Sequence, residues 1–290
     1  MADRAGQVDI RGLYIDKETK KYFEESLIFK NLVTTKSTPS RQIRWYQKTS
    51  GYLTLNSPAK ISPVAEGAKP FVLQQTWTRN TSYVKKYMVD SPMINMEDES
   101  DTDVAVFQDN LRDIVDAISY DLDSDIWDVA SESRSVVNIN SVTSTAAWDA
   151  GSGQDPIEDI EEAKQKIREQ TKRDLRNGVL LVSAKGAKDL MVWLIGSKGT
   201  YIPDFASEKV SSGVLGRLLG LTIIVSENVT ADYAMVGDLA QAVEYREFKP
   251  LTTAIIKEEG IGRKIRAWTH GIAILVKPKY LTLISNTETA

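Results

Sequence analysis

Eight apolar residues, Val104, Phe107, Leu111, Ile114, Ile118, Leu122, Ile126 and Val129, recur at intervals of three and four. That spacing lays one apolar stripe along a helix. The stripe predicts a helix over 101–132, about 30 residues and about 45 Å long at the α-helical rise. Its opposite face is acidic, with nine aspartates from Asp101 to Asp128 against the single cation Arg112. The run lacks the glycine and distal glutamate of a calcium loop at the required spacing, so it reads as a solvated helix face.

The segment before the helix is of another kind. Residues 42–55 and 71–89 have strand-like patterning, and a tip rich in Pro and Gly, "NSPAKISPVAEGAKP", joins them. In the second run Phe71, Leu73, Trp77, Tyr83, Tyr87 and Val89 share one parity, which predicts one apolar-aromatic strand face. Two strands alone cannot cover such a face, and an isolated hairpin is marginal in water. The arm is therefore expected to pack on a neighbour. Residues 1–50 hold ten Lys or Arg against six Asp or Glu, with one helical stretch at 16–29. Their apolar residues are too sparse to offset the entropy of ordering, so contact with another surface is expected to order them.

After "SVTSTAAWDAGSGQ" a second helix opens at "DPIEDIEEAKQKIREQTKRD", where Asp155 can cap, Pro156 fits the first helical position and Glu158 completes a capping box. A strand "GVLLVSA", a helix "AKGAKDLMVWLIG" and a strand-rich tail follow, without an internal repeat. The fold class is α+β, in the order arm, hairpin, long helix and mixed body.

The chemistry is narrowed by what 290 residues leave out. There is no cysteine, and the one histidine, His270, lies in a strand-like run beside Gly271 and reads as structural. No phosphate loop, dinucleotide fingerprint or nucleophile elbow occurs. Acid pairs such as Glu161 with Glu162 and Glu258 with Glu259 are adjacent and have no carboxylate placed to face them. No catalytic residue, metal ligand or cofactor is expected. Net charge is −4, so no global field recruits nucleic acid, and no apolar run reaches the length of a membrane span.

Several strings, in order, resemble the major capsid proteins of tailed double-stranded DNA viruses, the Hong Kong 97-like fold. "PVAEGAKPFVLQQTW" is similar to that family's extended-loop segment, and "GVLLVSAKGAKDLMVWLI" to its strand-then-helix. "LGRLLGLTIIVSENV" followed by "YAMVGDLAQAVEYRE" resembles two of its successive strands, and "GIAILVKPKYLTLI" its closing one. The resemblance spans roughly residues 50–284. It implies an N-terminal arm at 1–41, an extended hairpin loop at 42–82, a peripheral domain at 83–150 and 251–290 carrying the long spine helix, and an axial domain at 151–250.

The implied function is a structural one, self-assembly into pentamers and hexamers of an icosahedral shell around viral double-stranded DNA. The implied intersubunit contacts are Glu66, Gly67, Lys69, Pro70, Phe71, Trp77 and Tyr83. Some relatives weld subunits by an isopeptide bond from a loop lysine to an asparagine, and Lys69 stands where that lysine would be. Ile261–Pro278, where the partner residues would lie, contains no Asn, Asp or Glu, so Lys69 is expected to make a non-covalent contact. A chain beginning at Met1 is expected to rely on a separate scaffold or on none. The resemblance further implies non-specific contact with packaged DNA through the basic arm, and it leaves places for scaffold, portal and decoration proteins as partners. The location it implies is the virion capsid, after assembly in the host cytoplasm. An encapsulin-type nanocompartment enclosing an enzyme cargo shares these features and is the alternative. An α/β enzyme or ligand-binding protein would need a pocket of convergent polar groups, which the sequence does not display.

Overall fold

Two sheets divide the chain, and the long helix lies against one of them. The computed structural model describes residues 17, 19–24, 26–49, 63–69, 77–95, 105–175, 177–198 and 214–289. The first sheet has strand order β1 (Thr34–Ser37), β11 (Val243–Glu258), β12 (Gly262–Leu275) and β4 (Lys85–Asp90), with β5 (Ile94–Asn95) also pairing with β12. Its centre is the long antiparallel pair β11–β12, in register from Val243↔Leu275 to Glu258↔Gly262, with bulges around Lys249. Side chains alternate along β12: Ile265, Ala267, Ala273 and Leu275 point into the core, while Arg266, Trp268 and His270 are half-buried on the other face.

Helix α1 (Ala105–Ala130) covers the inner face with Leu111, Ile114, Val115, Ile118, Leu122, Ile126 and Trp127. From Leu111 onward the apolar stripe is the one that the spacing predicts; Val104 and the Phe107 side chain fall outside what the structure describes. The aspartates behave less uniformly. Asp109, Asp113, Asp116 and Asp121 are exposed, but Asp123 is buried at 2% exposure. Its carboxylate accepts from the backbone amides of Ile28 (2.7 Å), Phe29 (3.1 Å) and Lys30 (3.1 Å). A solvated face is thus the wrong reading for Asp123. Burial pushes its carboxyl up, and the three amides pull against that. The helix thereby holds the turn that leads into β1 in place, and Phe23, Leu27, Phe29 and Val33 join the same core.

The second sheet has the order β6 (Asn140–Thr143), β13 (Leu281–Ser285), β10 (Tyr233–Gly237), β7 (Val179–Val182), β9 (Leu221–Val225) and β8 (Val214–Leu218). It is mixed, with β7–β9 and β6–β13 parallel and the other pairs antiparallel. Both faces are covered. Val179, Leu181, Met235, Leu281 and Leu283 join the core beneath α1, while Leu180, Val182, Ala234, Val236 and Ile284 meet helices α2 (Pro156–Thr171) and α3 (Ala184–Lys198). This explains why "VLLV" and "LTLI" are buried at every position, with the Thr282 hydroxyl donating to the Ala163 carbonyl at 3.2 Å.

Helix α2 begins as its sequence predicts, with Pro156 in the first turn and the Asp155 carboxylate accepting from the Glu158 amide at 3.2 Å. It ends at Lys172, which takes a left-handed φ of 55°. Inside, Asp159 accepts from Trp148 Nε1 (2.9 Å) and Ser144 Oγ (2.7 Å), so the polar atoms of the loop after β6 are satisfied within the core.

This partition cuts across the segments expected from the sequence. Strands β6 and β13 lie in the second sheet, and the whole of β11, from Val243, lies in the first. Two of the passages between sheets run side by side. The short helix α4 (Leu239–Ala242) leads into β11, and residues 276–280 lead from β12 to β13. The amides of Val276 (2.8 Å) and Lys277 (3.1 Å) both donate to the Ala242 carbonyl.

Candidate functional site

The run 71–89 is not one strand. Within it, β3 (Trp77–Tyr83) pairs only with β2 (Gln42–Lys48), and after Val84 the chain enters the first sheet as β4. The single face expected for Trp77, Tyr83, Tyr87 and Val89 is therefore split. Tyr87 and Val89 pack against the core, whereas Trp77 and Tyr83 are 50% and 67% exposed on the hairpin. The physical reason is the change of partner at Val84, whose amide donates to the Arg41 carbonyl at 3.0 Å.

The β2–β3 hairpin is rooted on the outer face of the first sheet. Ile43 packs on Ile272 and Ile274, with Trp45, Val84 and Val276 around them. Trp45 Nε1 donates to the Leu275 carbonyl (3.1 Å) and the Lys48 amide to the Val276 carbonyl (3.1 Å). Sequence reading missed Ile43 and Trp45 as anchors; their period-two spacing in "QIRWYQK" is the signal.

Register then fixes the other face. Gln42 opposes Tyr83, Arg44 opposes Thr81, Tyr46 opposes Arg79 and Lys48 opposes Trp77, so these eight side chains share the side turned away from the root. Tyr46, Trp77 and Tyr83 are at least half exposed there, and neither strand contains a carboxylate. Three exposed aromatics on a two-stranded ribbon form an adhesive face rather than a folding core. Tyr46 was not anticipated as part of it.

At the distal end, residues 63–69 are exposed throughout and contain Glu66, Gly67 and Lys69. The Ala68 amide donates to the Ala65 carbonyl at 3.0 Å, closing a turn in which Gly67 has φ 83°. No atom lies within 4 Å of where a Gly67 Cβ would be, so backbone conformation, not space, selects glycine. Pro70 and Phe71 lie outside the described residues.

Beneath the root is a cleft of about 320 Å³ lined by Trp45, Lys85, Asp125, Glu132 and Ile272 among others. Its polar groups are mutually engaged: Asp125 is held by Lys85 Nζ at 2.8 Å and by the Tyr87 hydroxyl. Burial first, and then the hydrogen bond to Asp125, push the Tyr87 phenol far above its usual range, so it stays protonated. Among the described residues no three His, Asp or Glu side chains converge as a metal site. The groups lining this cleft join the arm to α1, and among the described residues the arm's open face has no cover.

The phage capsid protein family matches residues 93–284, about two thirds of the chain, beginning after the hairpin. No curated protein matches it. Among solved structures, the capsid of cyanophage P-SCSP1u is similar at TM-score 0.64 and 13% identity, covering 89% of this chain and 88% of that one. A Mycobacterium phage Che8 chain is similar at 0.61 and 18% identity, covering 91% and 92%. The virus-like particle of Pyrococcus furiosus gives 0.61 and 11% identity, with 95% of this chain matched to 100% of that one. The two-sheet α+β architecture with its one long helix and projecting hairpin is thus the Hong Kong 97-like capsid fold, and the chain belongs to the phage capsid protein family.

Proposed function

We propose that this chain is the subunit that builds the shell of a tailed-phage particle, forming pentamers and hexamers of an icosahedral lattice around double-stranded DNA. The observation that carries this reading is the hairpin: its root is fixed by two hydrogen bonds, to the carbonyls of Leu275 and Val276, and its aromatic face has no cover among the described residues. In a head-to-tail ring each subunit's arm lies on the next, and closure into five or six covers every such face. The binding energy of many repeated contacts takes the place of catalysis, and no enzymatic role is assigned.

In this reading Glu66, Gly67, Lys69, Pro70 and Phe71 form the tip that a neighbour covers, with Trp77, Tyr83 and Tyr46 along the shaft. Lys69 contacts the neighbour without a covalent bond. The first sheet with α1 is the peripheral domain, and the second sheet with α2 and α3 is the axial domain. The DNA contact is non-specific and weakens with salt. Particle assembly places the protein in the virion after assembly in the host cytoplasm, with portal, scaffold or decoration proteins as further partners.

Expression of the chain followed by negative-stain microscopy tests the reading: closed shells of uniform size are expected, and a monodisperse monomer at high concentration overturns it. Denaturing electrophoresis of the shells checks Lys69, since a ladder of covalent oligomers would contradict a non-covalent role. One observation favours a second reading, a cellular nanocompartment, namely the match over the entire length of the Pyrococcus furiosus virus-like particle chain. The ratio of absorbance at 260 and 280 nm, taken on purified particles from the native source, separates the two: packaged DNA supports the virion and an enzyme cargo the nanocompartment.

A further inference from the structure

The outer face of the first sheet carries cations of two kinds. Arg266 and Lys264 are both paired with Asp90, at 2.5 and 3.3 Å, and Lys36 and Arg246 with Glu244, each at 2.6 Å. Lys86, Lys249 and Arg41, all exposed, have no carboxylate partner among the described residues. Register lines them up: Lys249 opposes His270 on β12, and His270 opposes Lys86 on β4, so the three side chains form one row across three strands on one face. Arg41 stands at the end of the row, where its carbonyl receives the Val84 amide. Phe248 stacks on the His270 ring, with centroids 6.1 Å apart and planes 4° apart, which fixes the imidazole in the middle of the row. Burial and then Lys249, Lys86 and Arg41 hold that imidazole below its ordinary range, with no carboxylate offsetting them.

Like charges set side by side repel, and a row of them is stable against a surface of opposite sign. The start of α1 offers such a surface. Asp109, Asp113 and Asp116 are exposed on the first turns of α1, with Arg112, 4.0 Å from Asp109, the one cation among them. Desolvation and then Asp113 push the Asp116 carboxyl up, and Arg112 pulls against them. Within one chain these aspartates cannot reach the row, because α1 packs on the inner face of the sheet and the row lies on the outer face. The hairpin's open face likewise holds Arg44 and Arg79 and no carboxylate.

We infer that the row Arg41–Lys86–His270–Lys249 is an electrostatic seat for the acidic N-terminal turns of α1 in a second copy of the chain. This rests on the proposed assembly and specifies which two surfaces meet beside the arm. Two different patches of opposite sign on one chain make a heterologous contact, the kind that closes rings. The seat selects register and partner, and its strength falls as salt rises.

The test is a charge swap in the full chain. Lys86→Glu with Lys249→Glu is expected to lower particle yield at least tenfold while leaving the subunit's denaturation midpoint unchanged, because both side chains are exposed. Adding Asp109→Lys, Asp113→Lys and Asp116→Lys to the same chain is expected to restore particles. The milder pair Lys86→Gln and Lys249→Gln keeps the fold free of new repulsion, and its particles are expected to dissociate at lower salt than wild type. Wild-type yield from the reversed pair, failure of the swap to restore assembly, or normal shells that lack only their nucleic acid would each overturn the inference, the last by making the row a phosphate site. If the wild-type chain itself forms no particle, the proposed function fails first and separately.

Discussion

The six-stranded sheet and the β2–β3 hairpin are both built from short strands, yet they spend their apolar residues in opposite ways. In the sheet, Leu180, Leu181, Met235, Val236, Leu281 and Ile284 have essentially no exposed surface. On the hairpin, Tyr46, Trp77 and Tyr83 are open to solvent, and Ile43 is the one fully buried apolar anchor among its described strand residues. The first region is complete within one chain. The second leaves its aromatic face open among the described residues, and it is the surface for which association is proposed.

The sharpest way to break this contrast is to remove side chains of similar kind from each region. Trp148→Ala, in the core under α2, should cost about 3–5 kcal/mol, from lost burial and from the Asp159 oxygen left short of a donor. A denaturant midpoint shifted by less than about 1 kcal/mol of stability would mean that the core re-packs around the gap. Next in size is Asp123→Ala, which orphans the amides of residues 28–30 and should cost about 2–3 kcal/mol, read by the same titration and by faster hydrogen exchange at Ile28, Phe29 and Lys30.

Trp77→Ala should move subunit stability by no more than about 0.5 kcal/mol, since half of the ring is already in water, while particle yield falls sharply. A stability loss as large as that of Trp148 would show that the hairpin belongs to the fold and not to the interface. The smallest effect concerns Asp90, which the Arg266 fork at 2.5 and 2.6 Å holds at about 2. A carboxylate whose folded value is depressed stabilises the protein above its unfolded value of about 4 and loses that contribution as pH falls toward 2. Wild type should therefore lose slightly more stability than Asp90→Asn between pH 4 and pH 2 in parallel acid titrations.

Local signals carried much of the architecture. The α1 stripe, the Asp155–Pro156 start of α2 and the apolar runs of β7 and β13 were legible because each depends on neighbours within a few residues. The sheets were not legible in the same way. β1 pairs with β11 across some two hundred positions, and β6 with β13 across about 140, and nothing in either strand names its partner. The same limit merged β3 with β4: parity continues through Val84, but the hydrogen-bond partner changes there. At the candidate site, Trp77 and Tyr83 were legible as aromatics in a polar strand, while Tyr46 and the row of Lys86, His270 and Lys249 became neighbours only once the cross-strand register was set.

The Ala242 carbonyl carries a consequence of its own. It binds the amides of Val276 and Lys277, one residue past the carbonyl of Leu275 that anchors Trp45 and at the residue whose carbonyl anchors Lys48. A pull on the arm is thus delivered where two covalent passages between the sheets are tied together. The two amides share one acceptor, so the load reaches both passages together. In the proposed shell, the foot of each arm is the point at which a load on the arm meets both sheet connections.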